Sequence, residues 1–429
     1  MKRARNFWAV VILLVGIAFF LNEDIAASQA RKSEEALYKQ LQLFSDVLSI
    51  VKNNYVEPVE SQKLIYGALK GMLSSLDPYS IFMEADVYRE LSIETEGKFG
   101  GVGITITVKD GLITVISPIE DTPAYRAGLK PNDKIIRIDD KTTRGMDSSA
   151  AAKMLRGEPG TIVAIEILRE GTPEIIKITL TREEIKLKSV KRAQLLPDSK
   201  IAYVRLVEFQ KDTYQDLKDA LETLKKQGME GLIIDLRNNP GGLLDTAIDV
   251  SNLFLEPGKL VTYTQGRKPE DRVEFKAKQN ETVPASVPIV ILINGGSASA
   301  SEILSGALSD WKRATLVGEK SFGKGSVQTV IPLPENTAVK ITIAHYYTPK
   351  GRIVDGAGLT PDIAVEPKDK TVSLEGTLDI VKDNQLQAGF DFLKKELAKK
   401  YVGDRFIEPA GAMNGAPTTP NSSASTNGK

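Results

Sequence analysis

Short apolar segments alternate with amphipathic segments in the second half of this 429-residue chain. Residues Gly231–Leu236 and Ile289–Ile293 are almost continuously apolar, which is typical of strands in a sheet that is covered on both faces. Amphipathic helices are predicted around these strands at Tyr214–Gln227, Leu243–Leu255 and Ala300–Trp311. We therefore predict an α/β core with a mixed sheet over residues 185–405, including a helical region at about 380–402.

The first 30 residues are predicted to be a targeting segment. Lys2, Arg3 and Arg5 precede the apolar run Phe7–Leu21, which is shorter than the roughly 20 residues of a membrane span and fits a secretory signal. Residues 1–30 are interpreted as either a cleaved signal peptide or an uncleaved anchor in the inner membrane. In both cases the rest of the chain is predicted to be exported to the periplasm or cell envelope.

Helices are predicted between this segment and residue 96. Apolar residues recur there at helical spacing: Leu37, Leu41, Phe44, Val47, Leu48 and Val51. A second helix is predicted from Gln62 to Leu76, before Asp77 and Pro78. We predict an N-terminal helical arm over residues 31–96, and its apolar stripe is interpreted as a surface that supports a homodimer.

Composition excludes several classes of function. Positive and negative side chains both total 56, so the formal net charge is zero. A nucleic-acid-binding protein usually has a basic face, so no nucleic-acid partner is predicted. The chain has no cysteine and a single histidine, His345, which excludes a cysteine nucleophile and a histidine-rich zinc site. Residues 406–429 are rich in small and polar residues and are predicted to be disordered.

Residues 97–184 have a different pattern, with short β segments separated by turns. Lys109-Asp110-Gly111 is a hairpin signal, and Ser148–Leu155 is predicted to be a short helix. Gly101-Val102-Gly103-Ile104 opens a strand, and its glycines allow successive backbone N–H groups to face one concavity that holds a carboxylate. The segments Ala127–Ile135 and Leu155–Gly160 follow in order.

These segments resemble bacterial PDZ domains. The resemblance implies that Gly101, Val102, Gly103 and Ile104 bind the C-terminus of a peptide, which adds as a strand to the sheet. Asn132 stands where these domains usually have glycine, and asparagine tolerates the left-handed backbone conformation that this turn needs.

Residues 294–302, with the sequence Asn-Gly-Gly-Ser-Ala-Ser-Ala-Ser-Glu, lie between an apolar strand and an amphipathic helix. A serine at a helix N-terminus is close to unpaired N–H groups that favour negative charge and can stabilise an oxyanion. Helix capping is the alternative interpretation of these serines.

Residues 318–328 place Lys324 between two glycines, beside Phe322 and Val327. An ordinary lysine has a pKa of about 10.4 and is a poor base near neutral pH. Burial disfavours the ammonium form and lowers the pKa of a lysine by as much as several units. A solvated surface lysine is the alternative.

Together these segments resemble the C-terminal processing (tail-specific) protease family from about Leu41 to Asp362. The other matching segments are Leu73–Pro78, Asp235–Gly242 and Tyr347–Gly351. In this family the middle serine of the run is the nucleophile and a lysine 25 residues later is the base, which implies Ser299 and Lys324 here.

The resemblance also assigns supporting roles. Gln328 orients the amine, Ala300 supplies one oxyanion N–H, and Gly241 or Gly242 supplies the other, without a choice between them. Arg156 is expected to contact the Gln328 region in the active state. No metal or cofactor is implied.

The resemblance further implies protein or peptide substrates with accessible C-termini, and a lipoprotein adaptor is considered as a partner. Two rival hypotheses are a non-catalytic PDZ scaffold and a protease with a Ser-His-Asp triad ahead of its PDZ domain. A triad would have to use His345, for which packing or a backbone hydrogen bond is the preferred interpretation.

Overall fold

A computed structural model describes residues 35–119, 121–369, 374 and 378–404. The predicted targeting segment at 1–30 and the predicted disordered tail at 406–429 lie outside these residues. The described chain forms two compact units. The first comprises residues up to Glu84 together with Val330–Ile341, and the second comprises Ala85–Thr329 and the residues from Thr342 onward.

The helices have the following bounds: α1 (residues 35–54), α2 (Ser61–Ser74), α3 (Ala85–Glu96), α4 (Pro123–Arg126), α5 (Ser148–Leu155), α6 (Thr213–Lys226), α7 (Leu244–Ser251), α8 (Ala300–Asp310) and α9 (Asn384–Asp404). The strands have the following bounds: β1 (Ile81–Met83), β2 (Lys98–Gly101), β3 (Ile104–Lys109), β4 (Leu112–Pro118), β5 (Lys134–Ile138), β6 (Lys141–Thr142), β7 (Ile162–Leu168), β8 (Ile176–Thr181), β9 (Glu183–Lys186), β10 (Val190–Leu195), β11 (Ile201–Leu206), β12 (Gly231–Asp235), β13 (Leu260–Gln265), β14 (Val273–Lys276), β15 (Ile289–Ile293), β16 (Ala314–Gly318), β17 (Ser326–Pro332), β18 (Ala338–Tyr347) and β19 (Ile363–Ala364).

The first unit contains the two helices that the apolar spacing predicts. The apolar side chains of α1 are exposed, with Leu37 at 59% and Leu41 at 54%. The short strand β1 pairs antiparallel with the start of β18, with Met83 opposite Ala338. In the described residues, no helix is long and apolar enough to cross a membrane.

The PDZ-like part of the second unit is a sheet in the order β3-β4-β5-β7-β8 around its own apolar core. The hairpin prediction is confirmed, because β3 and β4 are joined by Asp110 and Gly111, both with positive φ (54° and 73°), as a type I′ turn requires. Asn132 has φ of 69°, so the asparagine does adopt the left-handed conformation. Helix α5 has the predicted bounds.

The core is a six-stranded sheet in the order β10-β11-β12-β15-β16-β19. Strand β10 is antiparallel to β11, and the other neighbours are parallel, so the predicted mixed sheet is confirmed. Every residue of β12 and β15 is buried. Helices α6, α7 and α8 contribute to the apolar cluster on one face, and α9 contributes to the cluster on the other.

The apolar pattern misses several elements. Strands β13, β14 and β17 are partly exposed, so they lack the continuous apolar run that marks β12 and β15. Helix α7 also ends at Ser251, four residues before the predicted Leu255, because tight turns replace its last part.

Candidate active site

Two loops meet at the carboxyl edge of the parallel strands. One loop follows β12 and the other follows β15, and adjacent parallel strands deliver their following loops to the same edge of a sheet, where α/β proteins bind their ligands. The Asn238 N–H donates to Asn294 Oδ1 at 2.9 Å, and Asn294 Nδ2 donates to Asn238 Oδ1 at 2.8 Å. This reciprocal pair fixes the spacing between the two loops.

The three serines of the second loop have different surroundings. Ser297 Oγ donates to the Leu236 carbonyl at 2.8 Å, and Ser301 Oγ donates to the Asn239 carbonyl at 3.0 Å. Both serines are fully buried, and their hydroxyl protons are already bonded. Ser299 is the partly exposed member of the three, so it is the serine that a substrate can reach.

Ser299 has an unusual backbone conformation, with φ of 54° and ψ of −115° immediately before α8. A serine with positive φ is strained, and such strain persists only where the surrounding structure imposes it. A sharp turn between a strand and a helix that raises a serine hydroxyl is also how the nucleophile elbow of α/β-hydrolases is built. Ala300, the first residue of α8, places its N–H at the N-terminus of the helix.

The glycine turn after β12 lies directly against the nucleophile candidate. A Cβ atom on Gly241 would lie 2.8 Å from Ser299 Cβ and 2.9 Å from the Ala300 nitrogen. A Cβ atom on Gly242 would instead lie 2.1 Å from the Phe209 carbonyl oxygen. Both glycines have positive φ. A side chain at either position would therefore require the backbone to move.

Lys324 lies in a loop that is fixed to the start of α8 by Glu302. This buried carboxylate accepts the Ser299 N–H at 2.9 Å and the Lys324 N–H at 3.0 Å, both on Oε2. The two backbone nitrogens are therefore less than about 6 Å apart. Glu302 Oε1 accepts the Gly323 N–H at 2.7 Å and the Ser321 hydroxyl at 2.6 Å. The side chain of Lys324 is partly buried.

Tyr346 lies on the other side of the same carboxylate. Its hydroxyl is 2.5 Å from the Lys324 carbonyl oxygen, 3.1 Å from the Ser299 carbonyl oxygen and 3.3 Å from Glu302 Oε2. Burial and the nearby Glu302 raise the pKa of Tyr346 well above its usual value. The phenol is therefore protonated at neutral pH and available as a donor.

Gln328 lies on β17, four residues after Lys324. Its Nε2 donates to the Ser326 hydroxyl at 2.8 Å and to Thr342 Oγ1 at 3.3 Å. In both contacts the amide nitrogen is the donor and a hydroxyl oxygen is the acceptor. The carbonyl oxygen of the amide is therefore the end that can accept a hydrogen bond from an ammonium group.

A buried ionic cluster lies at the end of β12, where the first loop begins. Arg237 Nη2 is 2.6 Å from Asp235 Oδ2 and 2.7 Å from Asp383 Oδ2, and Tyr203 donates its hydroxyl to Asp235 at 2.7 Å. Burial alone would raise the pKa of Asp235, but attraction to Arg237 outweighs it, so the pKa lies below its usual value. The cluster connects the end of β12 to the start of α9.

The predicted peptide-binding residues border a second, separate cleft between β3 and α5. Val102, Gly103 and Ile104 line it, and Gly101 ends the adjacent strand β2. Gly103 has φ of 76°, and a Cβ atom there would lie 2.3 Å from Thr122 Cβ. The floor of the cleft is apolar, as expected for a site that holds the side chain of a peptide.

Arg156 lies at the edge of this same cleft. Its guanidinium forms an ion pair with Glu90 of α3 and lies 4.8 Å from the centre of the Phe99 ring. The Arg156 side chain thus contacts α3 in this structure, whereas its expected contact with the Gln328 region is a prediction for the active state.

His345, for which packing or a backbone hydrogen bond is the preferred interpretation, lies partly in solvent. Its side chain is 49% exposed, and Nδ1 lies 3.6 Å from Asp355 Oδ2. This position is on β18, opposite Gln265 of β13.

The sequence interpretation missed the roles of Glu302 and Tyr346. Glu302 had a detectable signal, because a serine followed three residues later by glutamate is the pattern of a capping box, and the Ser299 N–H does donate to Glu302. Tyr346 had no local signal, since its contacts join residues far apart in the sequence.

Comparison with known proteins identifies the family. The model for peptidase family S41 matches residues 200–365, the PDZ domain model matches residues 100–180, and the model of the activating protease CtpB N-terminal domain matches residues 12–87.

Similar proteins of the same kind occur in several bacteria. A carboxy-terminal-processing protease of Bartonella bacilliformis is 44% identical over 83% of this chain and 82% of its own length. A carboxyl-terminal-processing protease of Synechocystis is 35% identical over 91% of this chain and 94% of its own. The carboxy-terminal processing protease CtpA of Bacillus subtilis is 34% identical over 86% of this chain and 79% of its own. The chain therefore belongs to the C-terminal processing proteases of peptidase family S41, and it is a serine peptidase with a PDZ domain.

Proposed function

We propose that the chain is an exported endopeptidase that cuts unfolded or tail-exposed envelope proteins by acyl transfer, with Ser299 as nucleophile and Lys324 as general base. The observation that carries this proposal is that the backbone N–H groups of Ser299 and Lys324 both donate to the same carboxylate oxygen of Glu302. Two residues that are 25 positions apart in the sequence are thereby brought to one place.

The proposed reaction needs the neutral form of the lysine. Lys324 takes the proton of the Ser299 hydroxyl as the serine oxygen attacks the scissile carbonyl. The resulting ammonium then gives that proton to the leaving amine, and the acyl group stays on Ser299. Lys324 next removes a proton from water as the water oxygen attacks the ester, and it returns that proton to the Ser299 oxygen when the acid product leaves. Gln328 orients the amine through its carbonyl oxygen.

Two backbone N–H groups are proposed to hold the oxyanion. Ala300 supplies one at the start of α8. The Gly241 N–H already donates to Asn239 Oδ1 at 2.9 Å, and the Gly241 carbonyl accepts the Phe209 N–H at 2.8 Å. In a trans peptide the next N–H points opposite to this carbonyl, so Gly242 is the proposed second donor. Gly241 provides the space beside Ser299.

The PDZ cleft is proposed to bind the free C-terminus of the substrate. The carboxylate is held by N–H groups of the Gly101–Ile104 loop, and the peptide pairs with β3. Amidation of a bound peptide's C-terminus removes the negative charge, so it is expected to weaken binding by at least about tenfold. Equal affinity for the acid and the amide, measured by fluorescence anisotropy, would remove this role.

A change of Arg156 partner is proposed to accompany activation. Arg156 leaves Glu90 and contacts the Gln328 region when a peptide occupies the cleft. The expected result is that Arg156→Ala abolishes the stimulation of cleavage by an added C-terminal peptide. Full stimulation in this variant would reject the proposal.

We also propose that the chain is exported and that it forms a homodimer through residues 31–96. A lipoprotein adaptor is proposed as a partner. The exposed apolar side chains of α1 support the dimer, because burying them against a second copy removes apolar surface from water. Light scattering of a Leu37→Ser, Leu41→Ser variant is expected to show a monomer. Cell fractionation tests export, and co-purification of a lipoprotein with the Ser299→Ala variant tests the adaptor.

Degradation of an unfolded protein such as casein tests the catalytic assignment. Ser299→Ala and Lys324→Ala are each expected to abolish cleavage while leaving the thermal unfolding midpoint close to that of the wild type. Lys320→Ala is the matched control, because Lys320 lies in the same loop outside the proposed pair. Full activity of Lys324→Ala would reject the serine–lysine assignment.

A further inference from the structure

Glu302 and Tyr346 are buried ionisable groups that contact both Ser299 and Lys324 and that the proposed reaction does not use. Glu302 is fully buried and Tyr346 is 2% exposed. Neither transfers a proton in the scheme above. Burying a carboxylate and a phenol is costly unless both are hydrogen-bonded, so their presence here calls for a physical reason.

The contacts of these two side chains form a clamp with a repeated pattern. Glu302 Oε2 accepts the backbone N–H of Ser299 and of Lys324. The Tyr346 hydroxyl lies against the backbone carbonyl of the same two residues, at 3.1 and 2.5 Å. Each member of the serine–lysine pair is therefore contacted at its N–H by Glu302 and at its C=O by Tyr346.

Tyr346 is itself well fixed. Its own N–H donates to the Gly325 carbonyl at 2.8 Å, and it pairs with Thr264 across β13 and β18. A phenol has a single proton to donate, and the shortest contact is to the Lys324 carbonyl. The hydroxyl therefore acts mainly on the base and only secondarily on the nucleophile.

We propose that Tyr346, together with Glu302, is a positioning residue that holds the backbone of Lys324 against the backbone of Ser299. The inference rests on the proposed function. A displacement of about 1 Å between reacting groups costs on the order of 100-fold in rate, so a clamp on both backbones acts directly on turnover.

Loss of the clamp is also expected to change the hydration of the lysine amine. The charged groups that act on the Tyr346 hydroxyl are Glu302 and Asp355, and Asp355 accepts the Gly325 N–H and faces His345. If the Lys324 backbone is released, the amine becomes more hydrated, which favours the ammonium form. Loss of the clamp is then expected to move the acidic limb of the pH–rate profile to higher pH.

Tyr346→Phe tests this inference, because it removes the hydroxyl and keeps the ring. We expect kcat to fall by about 10- to 100-fold with KM changed less than about threefold, since the loss is in positioning. The acidic limb of kcat/KM is expected to move up by at least about 0.5 pH unit. The assay is cleavage of one fluorogenic peptide by the full chain between pH 5 and 10.

Tyr203→Phe is the matched control. Tyr203 is equally buried and its hydroxyl also donates to a carboxylate, that of Asp235. It differs in lying on β11, in the ionic cluster at the end of β12. This variant is expected to lose stability without a change in the pH profile. Thermal unfolding of both variants separates a loss of folding from a loss of positioning.

The outcomes distinguish this inference from the proposed function. If the wild type does not cleave, or Ser299→Ala cleaves as well as the wild type, the proposed function fails. If the wild type cleaves, Ser299→Ala does not, and Tyr346→Phe matches Tyr203→Phe in kcat and pH profile, only the positioning role is overturned. Should Tyr346→Phe not fold, Glu302→Gln is measured in the same way, and an unchanged kcat and profile would likewise overturn the inference.

Discussion

The candidate active site and the PDZ cleft are held in place by different kinds of contact. At the active site, buried charges such as Glu302 and Asp235 each have several partners. At the PDZ cleft, α5 is joined to α3 by ion pairs between largely solvent-exposed side chains, including Lys153 with Asp86. Buried networks make one arrangement rigid, whereas exposed ion pairs contribute little and are screened by salt.

The difference teaches where this molecule can change shape at low cost. Moving Lys324 away from Ser299 would remove the Lys324 and Gly323 N–H donors from Glu302, and a buried carboxylate that loses hydrogen-bond partners is strongly unfavourable. Moving α5 away from α3 exchanges two ion pairs for water. We therefore expect any adjustment to ligand to occur at the PDZ cleft, with the serine–lysine geometry kept unchanged.

Among the variants that test this contrast, Gly241→Ala is expected to have the largest effect. The added Cβ would lie 2.7 Å from the Ala298 carbonyl oxygen and 2.9 Å from the Ala300 nitrogen, so it obstructs the proposed oxyanion site. Loss of one oxyanion donor typically costs about 100- to 1,000-fold in kcat, and we expect a loss of at least about 100-fold in casein cleavage.

Gly258→Ala is its control, because Gly258 also has positive φ (85°) but has open space around it. It shares the backbone strain without the obstruction, so it should cleave nearly as fast as the wild type. Comparable activity of the two variants would show that cleavage does not need the space beside Ser299. The proposed difference in rigidity between the active site and the PDZ cleft would then lose its main support.

The next effect concerns Asp235→Asn, which removes the negative charge next to Arg237 and Arg205 in the buried cluster. Breaking a buried ion pair typically costs about 3–5 kcal/mol, and we expect a loss of that size in urea unfolding at pH 7. A loss below about 1 kcal/mol would mean that this buried cluster contributes no more to the free energy of unfolding than the exposed ion pairs do.

The effect of Asp235 on stability also has a defined dependence on pH. Because its pKa is lower in the folded than in the unfolded chain, its contribution is fully present above the unfolded value of about 4 and is lost as the pH falls through the folded value. The stability difference between the wild type and Asp235→Asn should therefore shrink below about pH 4. A difference that grows in acid would contradict the assignment.

The smallest expected effect is that of Glu90→Gln at the PDZ cleft. Glu90 is 54% exposed on its side chain and pairs with Arg156, so we expect a loss of less than about 1 kcal/mol that disappears in 0.5 M salt. Urea unfolding at two salt concentrations measures it. A larger, salt-independent loss would mean that this contact is as rigid as those of the active site.

The sequence predicts best where a local pattern determines the structure. The apolar run Ile289–Ile293 predicts β15 with its observed bounds, and the Asp110-Gly111 turn predicts its hairpin. These features depend on neighbouring residues alone, so periodicity and turn chemistry are enough to identify them.

The site depends on contacts that no local pattern records. Three serines lie within five residues, and Ser297 and Ser301 differ from Ser299 in that distant carbonyls of Leu236 and Asn239 accept their protons. The residues alone predict a helix N-terminus, while the assignment of Ser299 comes from the family resemblance. Tyr346 is recognisable only once β18 is placed beside the Lys324 loop.

The most direct test is to find which serine becomes acylated. The wild type is mixed with a peptide p-nitrophenyl ester, quenched with acid within the first turnover and digested, and the acyl group is located by tandem mass spectrometry. The acyl group is predicted on Ser299 in the wild type and absent in Lys324→Ala. Acylation of Ser297 or Ser301, or undiminished labelling of Ser299 without the lysine, would contradict a nucleophile at Ser299 that Lys324 activates.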